Sequence, residues 1–335
     1  MSTTQTVTAT ATPTPAAVDT SVRYGDWRDD LFENGYVVVK QVMSAEKAQY
    51  YVDKMLSWLE TFPLGFDRKD RSTWTTENLP YHWKGGMYND YCVAHEDFVW
   101  EARTEPGVVG AFSKLWGTDE LLVSFDGMNM TIPQEKLPQT EPWPHIDQNP
   151  RREGLVCAQG IINFAPNGPR DGGLIVVKGS HRKVGDFFRK NPSIINRVTW
   201  GPKEWFGFSS EEVAWFQDQG CEVVKVCAGP GDLIIWDSRT IHYNALPETD
   251  QIRSIVYACY GPASLASKET LQKKKELFEK RKGTTHWPNM EVYPSGSPKS
   301  RAGEEIPCAR DKPFSDVVET PQVLRLAGVI PYFSH

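Results

Sequence analysis

Residues 155–178 read LVCAQGIINFAPNGPRDGGLIVVK, and the pattern of this stretch sets the fold. Two short apolar runs, Leu155–Phe164 and Leu174–Lys178, stand on either side of Pro166-Asn167-Gly168-Pro169, a sequence typical of a turn. Further runs of this kind follow the same pattern: Leu121–Ile132, Cys221–Cys227, Asp232–Trp236 and Arg253–Tyr260. Many short strands joined by turns favour a barrel or a double-sheet sandwich over a parallel sheet.

Helical patterns precede this β-rich centre. Residues Asp26–Asn34 predict a short helix that ends at Gly35, and Tyr36–Lys40 then predict a strand. Ser44 is a suitable cap for the next helix. A further helical stretch is predicted at about Glu96–Trp116, with a break near Pro106.

The C-terminal side begins with a polar helix predicted at about Ser264–Lys282. The last fifty residues are rich in Pro and Gly, which predicts irregular structure. The succession of helices, a β core, and a final helix with a tail predicts one α+β domain.

Composition excludes several classes of protein. The 335 residues carry 37 Lys and Arg against 43 Asp and Glu, so a general nucleic-acid binder is disfavoured. No apolar stretch approaches the length of a membrane-spanning helix, and the first 21 residues resemble neither an export nor an import signal. Six Cys without a CxxC pair argue against a disulfide scaffold or a zinc module. The expectation is a cytoplasmic protein without nucleic-acid or membrane partners, and a homodimer is a possible assembly.

A metal site is predicted by His145, Asp147 and His242. In an extended segment, the side chains of His145 and Asp147 project to the same side, so both can bind one ion. His242 follows 97 residues later, just after a predicted strand. Two His and one carboxylate that leave open positions form the facial triad of non-haem Fe(II) oxygenases.

Arg253 opens the next predicted strand, eleven residues after His242. A hairpin through residues 246–250 would fold it back beside the metal. The planar guanidinium gives a carboxylate two charge-assisted hydrogen bonds, so this position suggests a dicarboxylate cosubstrate. Arg253 could instead form a structural pair with Asp237 or Glu248.

Taken together, these features resemble the iron(II)- and 2-oxoglutarate-dependent dioxygenases, and more narrowly the phytanoyl-CoA dioxygenase-like family. The resemblance covers about Asp26 to Pro262. Its other parts are the segments 34–39 (NGYVVV), 171–181 (DGGLIVVKGSH) and 229–236 (GPGDLIIW), which are similar to family motifs. Two positions depart from those motifs: Lys178 stands where the family usually has Pro, and Leu174 where some relatives have a polar cosubstrate contact.

The resemblance implies a double-stranded β-helix (a jelly roll) with flanking helices. It implies that His145, Asp147 and His242 bind Fe(II) and that Arg253 holds the distal carboxylate of 2-oxoglutarate, with Gln159 and Asn244 as further contacts. The expected domain plan is a disordered tail (1–22), then one dioxygenase domain with a helical part (23–118), a jelly-roll core (119–262), and a C-terminal helix and lid-like tail (263–335).

The reaction that the resemblance implies uses dioxygen to oxidise an unactivated C–H bond of a small molecule. A natural-product intermediate or an amino acid is the expected substrate, and hydroxylation, desaturation or ring closure the outcome. Because Asp147 is present, halogenation is disfavoured. The alternatives are an acyl-CoA hydroxylase, a non-catalytic jelly-roll binding protein and a zinc hydrolase.

Several other residues carry weaker expectations. Trp143 and Met128 are expected near the mouth of the metal site, and Ile330–Phe333 is a candidate segment to close over the substrate. His181 is expected to brace a loop. The remaining histidines, His82, His95, His286 and His335, are expected to have no catalytic role.

Overall fold

The computed structural model describes residues 18–134, 141–150, 152–194, 205–297, 299–300 and 303–332. Residues 1–17 of the predicted tail, as well as Phe333 and His335, lie outside them. Within these ranges eight α-helices form: α1 (Trp27–Asn34), α2 (Ala45–Glu60), α3 (Asp97–Thr104), α4 (Pro106–Trp116), α5 (Val184–Lys190), α6 (Ser210–Asp218), α7 (Lys268–Glu279) and α8 (Pro321–Leu326). None of the described helices is long and apolar enough to cross a bilayer.

The strands are short and pair in antiparallel fashion. In chain order they are β1 (Tyr36–Val39), β2 (Met87–Tyr88), β3 (Leu121–Val123), β4 (Met128–Thr131), β5 (His145–Ile146), β6 (Ala158–Asn163), β7 (Gly173–Lys178), β8 (Phe206–Gly207), β9 (Glu222–Lys225), β10 (Leu233–Asp237), β11 (His242–Ala245), β12 (Arg253–Tyr257) and β13 (Tyr260–Pro262).

Two sheets are built from these strands. The larger sheet has the order β1-β10-β6-β12-β4-β2, with β13 paired to β3 and β6, and the smaller sheet has the order β8-β5-β11-β7-β9. Apolar side chains from both sheets pack between them: Ile161, Ile234, Trp236 and Ile255 from the larger sheet, and Leu174 and Val176 from the smaller one. The predicted double-stranded β-helix is confirmed.

Helices cover the outer faces of both sheets. Successive side chains of a strand point to opposite faces, so one set contacts the other sheet and the alternate set contacts the helices. On β10, Ile234 and Trp236 face the other sheet, whereas Leu233 and Ile235 belong to the core shared with the N-terminal helices. The outer face of the smaller sheet packs against an aromatic cluster that includes Phe187 of α5 and Phe216 of α6. The site is thus held between two rigid layers.

Most of the predicted elements form where the sequence indicates. The side chain of Asp26 caps α1, which ends at Gly35 in the left-handed conformation (φ 82°), and Ser44 caps α2. A Cβ at Gly35 would lie 2.5 Å from both His181 Nδ1 and Thr240 Oγ1, so only glycine fits. The predicted break near Pro106 separates α3 from α4.

Two expectations about the strands were wrong. The predicted run Leu121–Ile132 is two strands, because Phe125 pairs with Thr284 of the C-terminal region instead of continuing β3. The predicted hairpin between β11 and β12 does not form: β11 pairs with β5 and β7, whereas β12 pairs with β4 and β6. Residues 246–252 therefore cross from one sheet to the other. Helices α5, α6 and α8 were not predicted from the sequence.

Candidate active site

Two neighbouring strands of the smaller sheet bring the predicted metal ligands together. His145 on β5 lies directly opposite His242 on β11 in the antiparallel register. Asp147 follows β5 and is fixed by its backbone N–H, which donates to the carbonyl of Ser238 (3.0 Å). All three residues are buried. A separation of 97 positions in the sequence thus becomes a direct contact across two strands.

The side-chain atoms converge on one point. Asp147 Oδ2 lies 3.5 Å from His145 Nε2 and 3.2 Å from His242 Nε2. One ligand atom from each residue lies within 4.8 Å of the others, and this group is the one His/Cys/Asp/Glu cluster of suitable geometry among the described residues. Two imidazoles and a carboxylate on one side of a point fit a metal ion that keeps open positions.

Backbone carbonyls orient both imidazole rings. His145 Nδ1 lies 3.0 Å from the carbonyl of Trp143, and His242 Nδ1 lies 2.9 Å from that of Thr240. Because a carbonyl only accepts, each Nδ1 carries the proton and donates it, which leaves the Nε2 lone pair free for a metal. The donor set therefore fits Fe(II) in tautomer as well as in position.

The ionisation states also favour a metal. Burial and the neighbouring His242 lower the pKa of His145, so its imidazole is neutral at neutral pH. Burial opposes ionisation of Asp147, but the nearby imidazoles of His145 and His286 hold the pKa of this carboxyl well below its usual range. A neutral imidazole and an ionised carboxylate are the forms that bind a divalent cation.

Gln159 on β6 supports the carboxylate. Its Nε2 donates to Asp147 Oδ2 at 2.9 Å, so the larger sheet holds a ligand that the smaller sheet carries. The predicted contact of Gln159 with 2-oxoglutarate stays a prediction. The contact that the structure shows is a hydrogen bond to Asp147, which orients that residue.

An indole ring covers one face of His145. The rings of Trp143 and His145 stack with centroids 4.3 Å apart and an angle of 10° between their planes, and the ammonium group of Lys84 lies over the Trp143 ring. The expectation that Trp143 lies near the mouth of the metal site is thereby confirmed. That for Met128 was wrong: its side chain is fully buried in the core on the opposite face of the larger sheet.

Arg253 begins β12 and is buried between the sheets. A Cβ at Gly173 would lie 3.0 Å from Arg253 Nε, so the absence of a side chain there makes room for the guanidinium. Neither structural pairing forms: Asp237 is paired with Arg239, and Arg253 has no ion pair with any carboxylate that the structure describes. Asn244 lies on β11, opposite Leu174 of β7.

A cavity of about 290 Å³ opens beside the triad. Its wall includes Gln159 and Asn244 from the predicted set, together with several side chains that the sequence did not single out. The described residues of this second group include Asn89, Asp126, Trp205, Thr285 and His286. A lone His without a paired ligand gives no signal in a sequence, and the structure places His286 in the cavity wall. That it has no catalytic role stays a prediction.

The C-terminal region reaches the cavity, but not through the segment that was expected. Thr284 N donates to the carbonyl of Phe125 (2.7 Å) and Phe125 N donates to Thr284 Oγ1 (2.9 Å), which fixes residues 284–286 along the cavity wall. Ile330–Tyr332 instead pack beside Leu122, and the Tyr332 hydroxyl donates to the carbonyl of Leu121. Residues 330–332 of the candidate lid therefore do not line this cavity, because apolar character alone does not fix where a segment packs.

Comparison with known proteins identifies the family. The sequence profile of the phytanoyl-CoA dioxygenase (PhyH) family matches residues 31–255. Ava biosynthesis cluster protein O of Aspergillus versicolor is 50% identical over 272 residues, which cover 80% of this chain and 88% of that protein. The chain belongs to the phytanoyl-CoA dioxygenase family.

Two solved structures are similar to this phytanoyl-CoA dioxygenase family member. The product of GlcNAc-inducible gene 2 of Candida albicans is 14% identical and aligns with a TM-score of 0.59 over 95% of this chain and 78% of that one. The epimerase SnoN, solved with Fe³⁺, α-ketoglutarate and nogalamycin RO, is 18% identical with a TM-score of 0.48 over 70% and 82%.

Membership of the phytanoyl-CoA dioxygenase family settles the class of the enzyme. The chain is an iron(II)- and 2-oxoglutarate-dependent dioxygenase. The predicted class and cofactors are confirmed, and small molecules with dioxygen are the substrates that fit this family.

Proposed function

We propose that the enzyme oxidises an unactivated C–H bond of a small natural-product intermediate. The observation that carries the proposal is the buried triad of His145, Asp147 and His242, which lies at a cavity of about 290 Å³. The 50% identity with a protein named for a biosynthesis cluster supports a substrate from secondary metabolism. An amino acid is the second substrate class that the cavity volume fits.

In this proposal His145, Asp147 and His242 hold the iron through two Nε2 atoms and one carboxylate oxygen. When bound, iron(II) and 2-oxoglutarate supply the activation of dioxygen, and the cosubstrate is converted to succinate and carbon dioxide. Gln159 keeps the Asp147 carboxylate oriented through its 2.9 Å hydrogen bond. The Nδ1–H bonds of both histidines keep the rings from turning.

Arg253 binds the distal carboxylate of 2-oxoglutarate in this proposal. Its guanidinium is buried without a described carboxylate partner, which is costly unless a ligand supplies the charge. Lys225 adds positive charge nearby: burial and, to a smaller extent, Arg253 lower its pKa to about 8. The buried guanidinium of Arg253 and the partly buried ammonium group of Lys225 favour an anionic ligand at this end of the barrel. Asn244 is proposed as a further contact from the neighbouring sheet.

The alternatives have less support. The mechanism of a zinc hydrolase gives no role to the buried Arg253. A non-catalytic jelly roll does not require an intact triad. An acyl-CoA hydroxylase remains a second candidate because the family is named for phytanoyl-CoA. The cavity contains the carboxylates of Asp126 and Asp147, which disfavour an anionic thioester.

The test is spectroscopic. Anaerobic addition of Fe(II) and then 2-oxoglutarate to the purified protein should produce the weak visible metal-to-ligand charge-transfer band of this class. His242→Ala should abolish the band, whereas His82→Ala, a change at a histidine that does not line the cavity, should keep it. Iron binding without the band would contradict the proposal.

The domain plan and the cellular setting complete the proposal. We propose that residues 23–335 act as one dioxygenase domain, since the cavity wall combines barrel strands with residues 284–286. A homodimer and a cytoplasmic location are the expected assembly and compartment. Light scattering of the purified protein and fractionation of the producing cells test these two expectations.

A further inference from the structure

One wall of the cavity carries an acid without a counterion. Asp126 lies between β3 and β4, and its Oδ1 accepts a hydrogen bond from the N–H of Gly127 (2.8 Å). No described Lys, Arg or His nitrogen lies within 4.0 Å of its carboxylate oxygens. The buried Arg103 donates to the backbone carbonyl of Asp126 and forms no ion pair with the carboxylate of that residue. Asp126 is partly exposed, and burial raises the pKa of its carboxyl although the charges of His286 and Arg103 oppose this shift. A cationic ligand would therefore stabilise its ionised form.

Three further polar atoms near this acid are without partners. Asn89 Oδ1, Thr285 Oγ1 and His286 Nε2 are fully buried, and none has a hydrogen-bond partner among the described residues. All three residues line the same cavity as Asp126. Since buried polar atoms in folded proteins are nearly always hydrogen-bonded, a ligand or water in this cavity would supply the partners of these three atoms.

Other parts of the cavity wall are aromatic or aliphatic. Trp205 and Trp236 contribute indole rings, and Leu174 and Ile161 contribute aliphatic surface. Indole rings attract cations through their negative faces. An acid, a group of hydrogen-bonding atoms and aromatic rings together form a site for a nitrogen cation attached to a flat or apolar body.

We propose that the substrate carries a basic nitrogen that is bound as a cation against the carboxylate of Asp126. The side chains of Asn89, Thr285 and His286 then form the remaining hydrogen bonds with the substrate. This inference rests on the proposed function, because it names the substrate class of the same site. The acid lies on the larger sheet side, between β3 and β4, whereas the predicted anchor for the anionic cosubstrate is Arg253 at the start of β12. The two ligands therefore meet side chains of opposite charge, which prevents each from occupying the place of the other.

Paired probes test the charge of the substrate directly. Tryptamine and phenethylamine are cations at neutral pH, and tryptophol and 2-phenylethanol are neutral compounds of the same shape. Calorimetric titration of the full chain loaded anaerobically with Fe(II) and 2-oxoglutarate should show at least one amine binding about tenfold or more tightly than its alcohol. If neither amine binds better than its alcohol, the proposal is overturned.

Matched variants then assign the effect to Asp126. Asp126→Asn keeps the shape and removes the charge, and it should lower the affinity for the amine about tenfold while leaving that for the alcohol within twofold. Asp119→Asn, at an exposed acid seven residues earlier, changes the net charge equally and should have no effect. Equal losses in the two variants, or none in Asp126→Asn, would contradict the assignment.

Repeating the titration without iron and cosubstrate separates this inference from the proposed function. The wild-type protein could lack the charge-transfer band and still bind the amine more tightly than the alcohol, with Asp126→Asn removing that preference. This result would contradict the proposed reaction and support the cation site. If the band forms and the preference is absent, the reaction stands and the cation site fails.

Discussion

The indole of Trp143 lies parallel to the imidazole of His145 at a centroid distance of 4.3 Å, so a proposed iron ligand is packed on one face by its own neighbour two positions earlier in the chain. The same residue supplies the carbonyl that accepts from His145 Nδ1. One residue thus fixes both the tilt and the tautomer of the ligand.

Removal of this stack should weaken iron binding without abolishing it. Trp143→Ala leaves the backbone carbonyl in place but frees the ring of His145. We expect the dissociation constant of Fe(II) to rise about tenfold, which is a small loss for a residue that supports a metal ligand. Trp143→Phe should restore most of the affinity. Anaerobic Fe(II) titration measures both. Equal affinity in Trp143→Ala and wild type would show that the carbonyl alone orients the ligand.

Arg253→Ala should raise the concentration of 2-oxoglutarate needed for half-saturation by about a hundredfold or more, because charge-assisted hydrogen bonds of a desolvated guanidinium are lost. Iron binding should persist. Gly173→Ala provides a graded test: its Cβ would lie 3.0 Å from Arg253 Nε at a backbone φ of +97°, so it should give a smaller increase of the same kind. Titrating the charge-transfer band with 2-oxoglutarate reports both. Wild-type behaviour of Arg253→Ala would refute the assignment of the cosubstrate anchor.

Gln159 should act through Asp147 and not through the cosubstrate. Gln159→Leu removes the 2.9 Å hydrogen bond, and we expect about tenfold weaker iron binding with little change in the apparent affinity for 2-oxoglutarate at saturating iron. Gln159→Glu places a second carboxylate against Asp147, so the metal-free protein should be less stable than that of Gln159→Leu. A selective loss of 2-oxoglutarate affinity would instead support the direct contact predicted from the sequence.

Acid should destabilise the protein through His95. Burial lowers its pKa to about 3, although the hydrogen bond between its Nε2 and the carbonyl of Lys282 (3.0 Å) opposes this shift, so the folded protein keeps the ring neutral. In the unfolded chain this group takes up a proton below about pH 6.5. The unfolded state then binds more protons than the folded state, and the free energy of unfolding falls as pH decreases, by about 2 kcal/mol from this residue between pH 6.5 and pH 5.

Chemical denaturation as a function of pH tests this prediction. His95→Gln should flatten the slope between pH 6.5 and pH 5 even if it lowers stability at pH 7. An unchanged slope would assign the acid sensitivity to other groups, of which His82 is the next candidate because burial lowers its pKa to about 4.

The sequence predicted the parts of the site that depend on local spacing. His145 and Asp147 share one side of an extended segment, and the later ligand follows a strand, so periodicity together with family resemblance indicated the triad. The turn signals around residues 166–169 and 229–232 likewise indicated a β fold with short strands.

The parts that depend on long-range packing could not be predicted in this way. The crossing of residues 246–252 between the sheets has the same local sequence signature as a hairpin. His286 and Asp126 carry no motif, and they share a cavity only because Thr284 pairs with Phe125, 159 positions apart. Which segment of a Pro- and Gly-rich region contacts a cavity is decided by tertiary structure and not by composition.

The attachment of the C-terminal region to Phe125 has a consequence for how this scaffold can diversify. Residues 284–286 contribute to the cavity wall, yet they are fixed by a backbone pairing and one threonine hydroxyl. The proposed iron ligands instead lie on β5, directly after it, and on β11. Backbone pairing tolerates many side chains, so this segment can change sequence without disturbing the proposed iron ligands. Selection, or a chimaera that exchanges residues 283–295, could therefore alter what the enzyme accepts while conserving how it reacts.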